Sequence, residues 1–274
     1  MINLHPRKES QYPITAECIN PDIFQGKSCE EIGGLEVWEG NKPRKLGELF
    51  KIEETGEKNQ CEETVIAICG DLIKVRRIGA KMSQGLITIR GDVGMHLGEE
   101  MRDGKIVVNG NVGGWAGSMM KGGTIEINGN AGNYLGAPYR GSEQGMQGGK
   151  VIVHGNVGDE PGAYMKRGLI KIYGNSGQFT GFRMQKGTIY IQRNCGDRVG
   201  ACMTRGKIVV SGCLESLLPT FTIDRLKNKV KIEEREVAEG PFYVFLGDLT
   251  ENGQGKIYVC KEKNPHLNQY ERFL

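Results

Sequence analysis

Short alternations of apolar and polar residues, bounded by glycine, recur along most of the chain. Segments 85–91 (GLITIRG) and 104–110 (GKIVVNG) place aliphatic side chains at every second position. This alternation predicts short β-strands with one buried face. The pattern restarts every 19 residues, apart from one interval of 26, after an imperfect unit near Thr64; the starts are Gly85, Gly104, Gly123, Gly149, Gly168, Gly187 and Gly206.

A unit with one short strand and no helical stretch cannot bury its apolar edge alone, so repeated units are expected to stack. The sequence therefore predicts an all-β fold, a parallel β-helix (solenoid) of about seven turns over residues 64–213. Residues 1–63 and 214–274 leave the repeat and are expected to cap its ends, with strands near 35–38, 242–246 and 256–260 and an amphipathic segment at 46–52. The predicted inward column is Ile87, Ile106, Ile125, Val151, Ile170, Ile189 and Ile208.

Two further columns recur at fixed positions of the repeat. The methionines favour an internal apolar ladder over a copper site, because one side chain per turn suits inward packing. Asn and Asp tolerate left-handed backbone and hydrogen-bond locally, so the second column is expected to form a polar ladder along the stack. A calcium site is not favoured there, because the dense aspartates of calcium-binding repeats are absent. The columns are Met82, Met101, Met120, Met146, Met165, Met184 and Met203, and Asp71, Asp92, Asn111, Asn130, Asn156, Asn175 and Asn194.

Amino-acid composition limits the classes of function to be considered. Glycine accounts for 42 of 274 residues, about twice the usual ~7%, and the repeat explains this excess. A net charge of +3 does not favour nucleic-acid binding, and no apolar run is long enough for a membrane span. The N-terminal segment has no pattern of an export signal, and the eight cysteines form no C-x-x-C pair, so we expect reduced, mostly buried thiols and a cytoplasmic location.

The chain contains no recognisable catalytic motif. Gly26-Lys27-Ser28 resembles the end of a phosphate-binding loop, but Pro21 stands where that loop needs its first glycine. Ser28 and Glu31 instead fit a helix capping box. The four histidines are widely scattered, which does not favour a metal site. We therefore expect no catalytic, cofactor-binding or metal-binding residue in this chain.

The 26-residue interval predicts a surface loop between Gly136 and Gly145, because the repeat resumes in register at Met146. Loops on rigid frames often carry recognition, although a tolerated insertion is the alternative. Tyrosine and arginine are common interface anchors, and we expect the loop to be removable without harm to the core. The candidate partner-docking residues are Tyr139, Arg140, Ser142, Glu143 and Gln144.

The chain resembles the C subunit of formylmethanofuran dehydrogenase over nearly its whole length. The similar segments are 24–28 (FQGKS), 77–79 (RIG), 116–120 (AGSMM), 139–141 (YRG), 145–149 (GMQGG), 218–221 (LPTF) and 240–243 (GPFY). The repeat alone is also similar to the C-terminal domain of the large subunit of glutamate synthase.

The resemblance implies a right-handed β-helix acting as a non-catalytic scaffold in an archaeal complex that reduces CO2 to formate and condenses it with methanofuran in methanogenesis. It also implies three kinds of partner: a catalytic subunit with molybdenum or tungsten bound to a pterin, an amidohydrolase-like subunit with a dinuclear metal site, and iron–sulfur subunits. Two alternatives remain: the C subunit of a bacterial formyltransferase/hydrolase complex, and a self-assembling structural β-helix. The long non-repetitive ends do not favour the second alternative.

Overall fold

The computed structural model describes residues 1–7, 10–55 and 63–274, and these are mostly β-strand with few, short helices. The helices are α1 (Pro21–Phe24), α2 (Cys29–Gly33) and α3 (Leu46–Leu49), with 3₁₀ segments at Leu249–Glu251 and Pro265–Phe273. The strands are β1 (Ile2–Pro6), β2 (Ile14–Thr15), β3 (Glu36–Glu39), β4 (Lys42–Lys45), β5 (Phe50–Glu54), β6 (Val65–Cys69), β7 (Val75–Arg76), β8 (Leu86–Arg90), β9 (Lys105–Val108), β10 (Thr124–Ile127), β11 (Lys150–Val153), β12 (Leu169–Ile172), β13 (Thr188–Ile191), β14 (Lys207–Val210), β15 (Thr222–Glu233), β16 (Glu236–Gly247) and β17 (Gly255–Cys260).

Each repeat contributes one strand to a large mixed sheet. Strands β6 and β8 to β14 lie side by side in chain order, and every neighbouring pair is parallel. Ile125 faces Ile106 on one side and Val151 on the other, so the longer interval leaves the register unchanged. The seven residues predicted to point inward are fully buried, which confirms that prediction.

Further columns complete the interior of this stack. All seven methionines of the predicted column are fully buried, as a packing ladder requires. A second row of parallel bridges links successive repeats beyond the strands. Its members are Leu72, Val93, Val112, Ala131, Val157, Ser176, Cys195 and Leu214.

The Asn and Asp column forms a ladder of side chain to backbone hydrogen bonds. The Oδ1 atom of Asn130 accepts from the backbone N–H of Asn156 at 2.8 Å, and the Oδ1 atom of Asn156 accepts from that of Asn175 at 2.8 Å. From Asp92 to Asn194 each side chain satisfies a backbone donor of the next repeat, whereas Asp71 accepts from the N–H of Ile73 in its own repeat. The polar ladder is confirmed.

Asn and Asp tolerate left-handed backbone, but the members of this column do not adopt it. None has a positive φ; the left-handed non-glycine residues recur instead at the twelfth and sixteenth positions of the repeat, on either side of a left-handed glycine. The tight turn of each repeat thus follows the Asn or Asp residue in sequence and does not include it. The left-handed residues are Arg77, His96, Trp115, Tyr134, Glu160, Phe179 and Arg198 at the twelfth position, and Lys81, Glu100, Met119, Tyr164, Arg183 and Cys202 at the sixteenth.

Glycines after most of the strands allow neighbouring repeats to approach closely. A Cβ atom on Gly110 would lie 2.3 Å from the carbonyl oxygen of Gly91, in the preceding repeat. Since no side chain fits at that distance, Gly110 is required irrespective of its φ. The repeat as a whole tolerates one exception, because the equivalent position after β13 is Arg193.

The N-terminal residues extend one end of the sheet. Strand β1 pairs parallel with β6, with Leu4 facing Ile68, and antiparallel with β5. Ser28 and Glu31 form the predicted capping box at α2. The segment expected to be amphipathic divides into α3 and β5, and the strand expected near residues 35–38 is β3, in a small sheet of order β4-β3-β2-β7.

The C-terminal residues extend the other end. Strand β17 pairs parallel with β14, and β16 and β15 follow antiparallel as a long hairpin. Val230 and Ile232 of this hairpin pack in one apolar cluster with Tyr190 and Val209 of the stack. Beside the cluster, the buried ammonium of Lys171 binds Glu233 and Glu236. The hairpin is therefore attached to the outer face of the stack by both apolar and ionic contacts.

The cysteines differ in part from the expected burial. Seven are free thiols in the described ranges, of which Cys195 and Cys260 are buried and the others half-buried; Cys61 lies outside those ranges. Burial raises the pKa of Cys195 to about 12, so this thiol stays protonated at neutral pH. Over the residues described, no helix has the length and apolar character needed to cross a membrane.

We expect Ile127→Asp to destabilise the chain by several kcal/mol, because Ile127 is fully buried and a carboxylate there would have no partner. Chemical denaturation measures the loss. Asn128→Asp, which introduces the same carboxylate at the adjacent exposed position, is the control and should cost about 1 kcal/mol or less. Equal stability of the two variants would contradict the inward assignment.

Candidate partner-docking site

The interruption of the repeat forms a surface loop with fixed ends. The backbone N–H of Met146 donates to the carbonyl of Gly136 at 2.8 Å, which closes the loop at its base. Within the loop, the N–H of Ser142 donates to the carbonyl of Tyr139 at 3.0 Å and forms a tight turn. The nine residues between Gly136 and Met146 thus leave and rejoin the stack at one point.

Tyr139 turns back towards the stack. Its hydroxyl donates to Oε1 of Glu99 at 2.5 Å and accepts from the Arg77 guanidinium at 2.9 Å. Its ring lies 5.2 Å from the ring of His96. Tyr139 therefore holds the loop against two earlier repeats, through residues 40 and 62 positions away in sequence.

Glu99 is the buried centre of this cluster, with only 5% of its surface exposed. Its Oε2 atom lies 3.4 Å from Nε of Arg77 and 3.8 Å from Nδ1 of His96, but makes no hydrogen bond. Arg77 also pairs with Glu17 at 2.5 Å. Because a buried carboxylate needs compensating partners, Arg77 and Tyr139 together make the burial of Glu99 tolerable.

Burial also fixes the protonation of the neighbouring groups. It lowers the pKa of His96 to about 4, with the positive charges of Arg77 and Arg76 adding to the effect, so the ring is neutral at neutral pH. Burial and the hydrogen bond to Glu99 raise the pKa of Tyr139 well above its usual value. The phenol therefore remains a hydrogen-bond donor to the carboxylate.

The predicted docking residues divide into two groups. Tyr139 is half-buried and held at the stack, whereas Arg140, Glu143 and Gln144 are exposed. Glu143 lies 3.6 Å from Arg183, and the Ser142 hydroxyl accepts from the N–H of Gln144 within the loop. The predicted loop thus brings its polar residues to the surface and uses its tyrosine as an internal anchor.

A row of outward-pointing rings adjoins the loop, and no motif in the sequence indicated it. We call the twelfth-position residues of the repeat the ring column. Trp115 stacks between His96 and Tyr134, at centroid distances of 5.4 and 4.4 Å, and Arg198 lies over Phe179 at 5.0 Å. The sequence did contain a sign of this row, because aromatic residues recur at the twelfth position of the repeats next to the insertion.

Between the loop and the ring column lies an open cleft of about 290 Å³. Five aromatic side chains contribute to its walls, and Arg140, Ser142 and Glu160 supply polar groups. The contributing residues are Trp115, Tyr134, Pro138, Tyr139, Arg140, Gly141, Ser142, Glu160, Ala163, Tyr164 and Phe182. Half-buried aromatic surface next to a rigid loop is typical of a protein-interaction site.

Comparison with known proteins identifies relatives of this chain. The C subunit of the molybdenum-containing formylmethanofuran dehydrogenase 1 of Methanosarcina barkeri is 45% identical over 94 residues, 34% of this chain and 31% of that protein. The C subunit of the tungsten-containing formylmethanofuran dehydrogenase 2 of Methanothermobacter wolfeii is 39% identical over 97 residues, 35% of each. Over about a third of its length, this chain is similar to the C subunit of formylmethanofuran dehydrogenase.

The matched part spans about a third of the chain and about a third of these two relatives. A chain in the crystal structure of the formyltransferase/hydrolase complex of Methylorubrum extorquens with methylofuran aligns more extensively, over 94% of this chain and 99% of that one, at 29% identity and a TM-score of 0.83. No family model matches the chain.

Within the described residues, no three His, Cys, Asp or Glu side chains lie close enough together to bind a metal ion. The cluster around Glu99 contains an arginine and a tyrosine, which suit a structural role. The loop and its cleft are therefore the part of the described surface whose geometry best fits recognition.

We expect Tyr139→Phe to destabilise the chain by about 1–3 kcal/mol, because the buried Glu99 carboxylate loses its phenolic donor. Urea denaturation measures the change, and Tyr12→Phe, at a largely exposed tyrosine, is the matched control. If both variants are as stable as the wild-type chain, Tyr139 does not anchor the loop.

We expect His96→Phe to flatten the loss of stability at low pH. The folded-state pKa of about 4 lies below the usual ~6.5, so protons bind the unfolded chain preferentially as the pH falls from about 6.5 to 4. The stability associated with neutral His96 is thus present above pH 6.5 and is lost across that interval. Denaturation from pH 7 to 4.5 tests this; parallel curves for the two proteins would refute it. Phe179 shows that phenylalanine adopts the same backbone in this column.

Proposed function

We propose that this chain is the non-catalytic scaffold, the C subunit, of a molybdenum- or tungsten-containing formylmethanofuran dehydrogenase, which reduces CO2 to formate and condenses it with methanofuran in methanogenesis. The observation that carries the proposal is 45% identity to the C subunit of the molybdenum-containing enzyme. The tungsten-containing relatives match at 38–40% identity. The likeness to a chain of a multi-subunit complex supports a role in assembly.

The proposal includes a right-handed parallel β-helix over residues 64–213, with caps at 1–63 and 214–274. In-register parallel strands and a second row of parallel bridges at the same spacing support it. Strands β1 and β5 at one end, and β15 to β17 at the other, support the assignment of caps, because they pair with the terminal strands of the stack.

The proposed partners carry the chemistry. They are a catalytic subunit with molybdenum or tungsten bound to a pterin, an amidohydrolase-like subunit with a dinuclear metal site, and iron–sulfur subunits, all in the cytoplasm. In this proposal the chain binds no metal itself, and the burial that keeps the Cys195 thiol protonated supports that part of it. This chain would contribute fixed geometry to the complex.

The second candidate is a subunit of a bacterial formyltransferase/hydrolase complex, which would act on a formyl carrier without reducing CO2. The alignment with the Methylorubrum extorquens chain favours it, because that match covers both chains almost completely. The higher identity to the archaeal subunits favours the first candidate.

The docking loop with Tyr139, Arg140, Ser142, Glu143 and Gln144 remains part of the proposal, with modified roles. Arg140 and Gln144 are exposed and accessible to a partner, while Tyr139 positions the loop. Deletion of residues 138–144 would also remove the donor to Glu99, so it would not test docking alone. Substitutions that leave Tyr139 in place are the better test.

Purification of the tagged chain from its native organism tests the function. We expect stoichiometric recovery of a pterin-containing subunit with molybdenum or tungsten, an amidohydrolase-like subunit and iron–sulfur subunits, identified by mass spectrometry and metal analysis. A cell extract with the tag on an unrelated protein is the control. A formyltransferase partner without pterin would support the second candidate, and recovery of the chain alone would contradict both.

A further inference from the structure

The ring column is interrupted at the loop. Its successive members Trp115 and Tyr134 stack on one another, but the next repeat carries Glu160, and the one after that Phe179. Successive repeats are one strand spacing apart, ~4.8 Å, so Tyr134 and Phe179 are about two spacings apart. This separation is enough for one further ring. The cleft opens beside Tyr134 and Glu160, where the column lacks a ring, and Phe179 is not part of its lining.

Glu160 supplies a polar group at the gap. It is half-buried and lines the cleft together with Arg140. Burial and the charge of Asp159 raise its pKa, and Arg140 opposes the shift only in part. A carboxylate in this setting would be stabilised by a hydrogen-bond donor.

The walls of the cleft are held in place before any partner arrives. Tyr139 is fixed by Glu99 and Arg77, and Arg183 lies within 6 Å of the rings of Tyr164 and Phe182. A preformed site loses little conformational entropy on binding. Its volume of about 290 Å³ is at the lower limit of ligand pockets, about 300–1,000 Å³, which suits a protein side chain better than a cofactor.

We propose that this cleft receives a single tyrosine or tryptophan side chain from another subunit of the complex, with its ring stacked on Tyr134 and its hydroxyl or indole N–H donating to Glu160. This inference rests on the proposed function, since it requires a partner subunit. Tyrosine and tryptophan combine a stacking ring with a donor, and both are common interface anchors. Arg140, exposed at the rim, would pair with a carboxylate beside the anchor.

The test uses the tagged full-length chain purified with its partners. We expect Tyr134→Ala and Glu160→Leu each to reduce recovery of one partner subunit at least tenfold, since a few buried anchors carry most of the binding energy of an interface. Tyr134→Phe, which keeps the ring, should retain that partner. Tyr173→Ala is the matched control, because Tyr173 is another half-buried tyrosine stacked on a ring, that of His154.

Two further variants separate docking from folding. Ser142→Trp fills the cleft from the loop without removing a core side chain, so it should also reduce recovery tenfold while the melting temperature is unchanged. A photo-cross-linking residue at position 142 should give a cross-linked partner peptide that contains tyrosine or tryptophan. A peptide with neither residue, or a cross-linked small molecule, would overturn the proposal.

The outcomes distinguish the cleft from the function. If the wild-type chain recovers its partners and Tyr134→Ala, Glu160→Leu and Ser142→Trp recover them equally, the cleft is not the docking site and the proposed function stands. If the wild-type chain recovers no partner, the proposed function is wrong and this inference is wrong with it.

Discussion

The structure depends on one constraint, the hydrogen bonding of each short strand to its equivalent in the next repeat. Four-residue strands such as β9 and β10 cannot persist alone, but in register they place Ile106 on Ile125 and close an apolar interior. Other features follow from that contact. Glycine stands where the backbones approach most closely, and the Asn ladder supplies acceptors to donors that the strands do not reach.

The positions of residues that recur once per repeat were predictable from sequence, because residues at a fixed spacing stack above one another in the folded chain. This holds for Ile125, for Met120 and for the hydrogen bonds of Asn130. The left-handed positions were not, since asparagine is the usual residue there and only the path of the backbone shows that Tyr134 and Phe179 adopt it instead.

Contacts that cross the repeat were also beyond sequence reasoning. Tyr139 looks like an exposed anchor in the sequence, because nothing local indicates that Glu99 and Arg77 bind its hydroxyl. The ion pairs of Lys171 with the hairpin are likewise set by tertiary packing, as they join residues more than 60 positions apart. The Glu99 cluster attaches the loop to the stack, and the Lys171 cluster attaches the hairpin. In an isolated repeat the charged groups of both clusters would be exposed to water.

The stack also has a consequence for distance. Because neighbouring strands are separated by ~4.8 Å, equivalent surface residues of different repeats lie a whole number of strand spacings apart along the stack. The loop at Gly136 adds seven residues to the chain without adding a strand spacing, since Ile125 and Val151 remain neighbours. An insertion can thus add a surface loop without changing the length of the stack. The stack becomes longer or shorter only when an entire repeat is gained or lost.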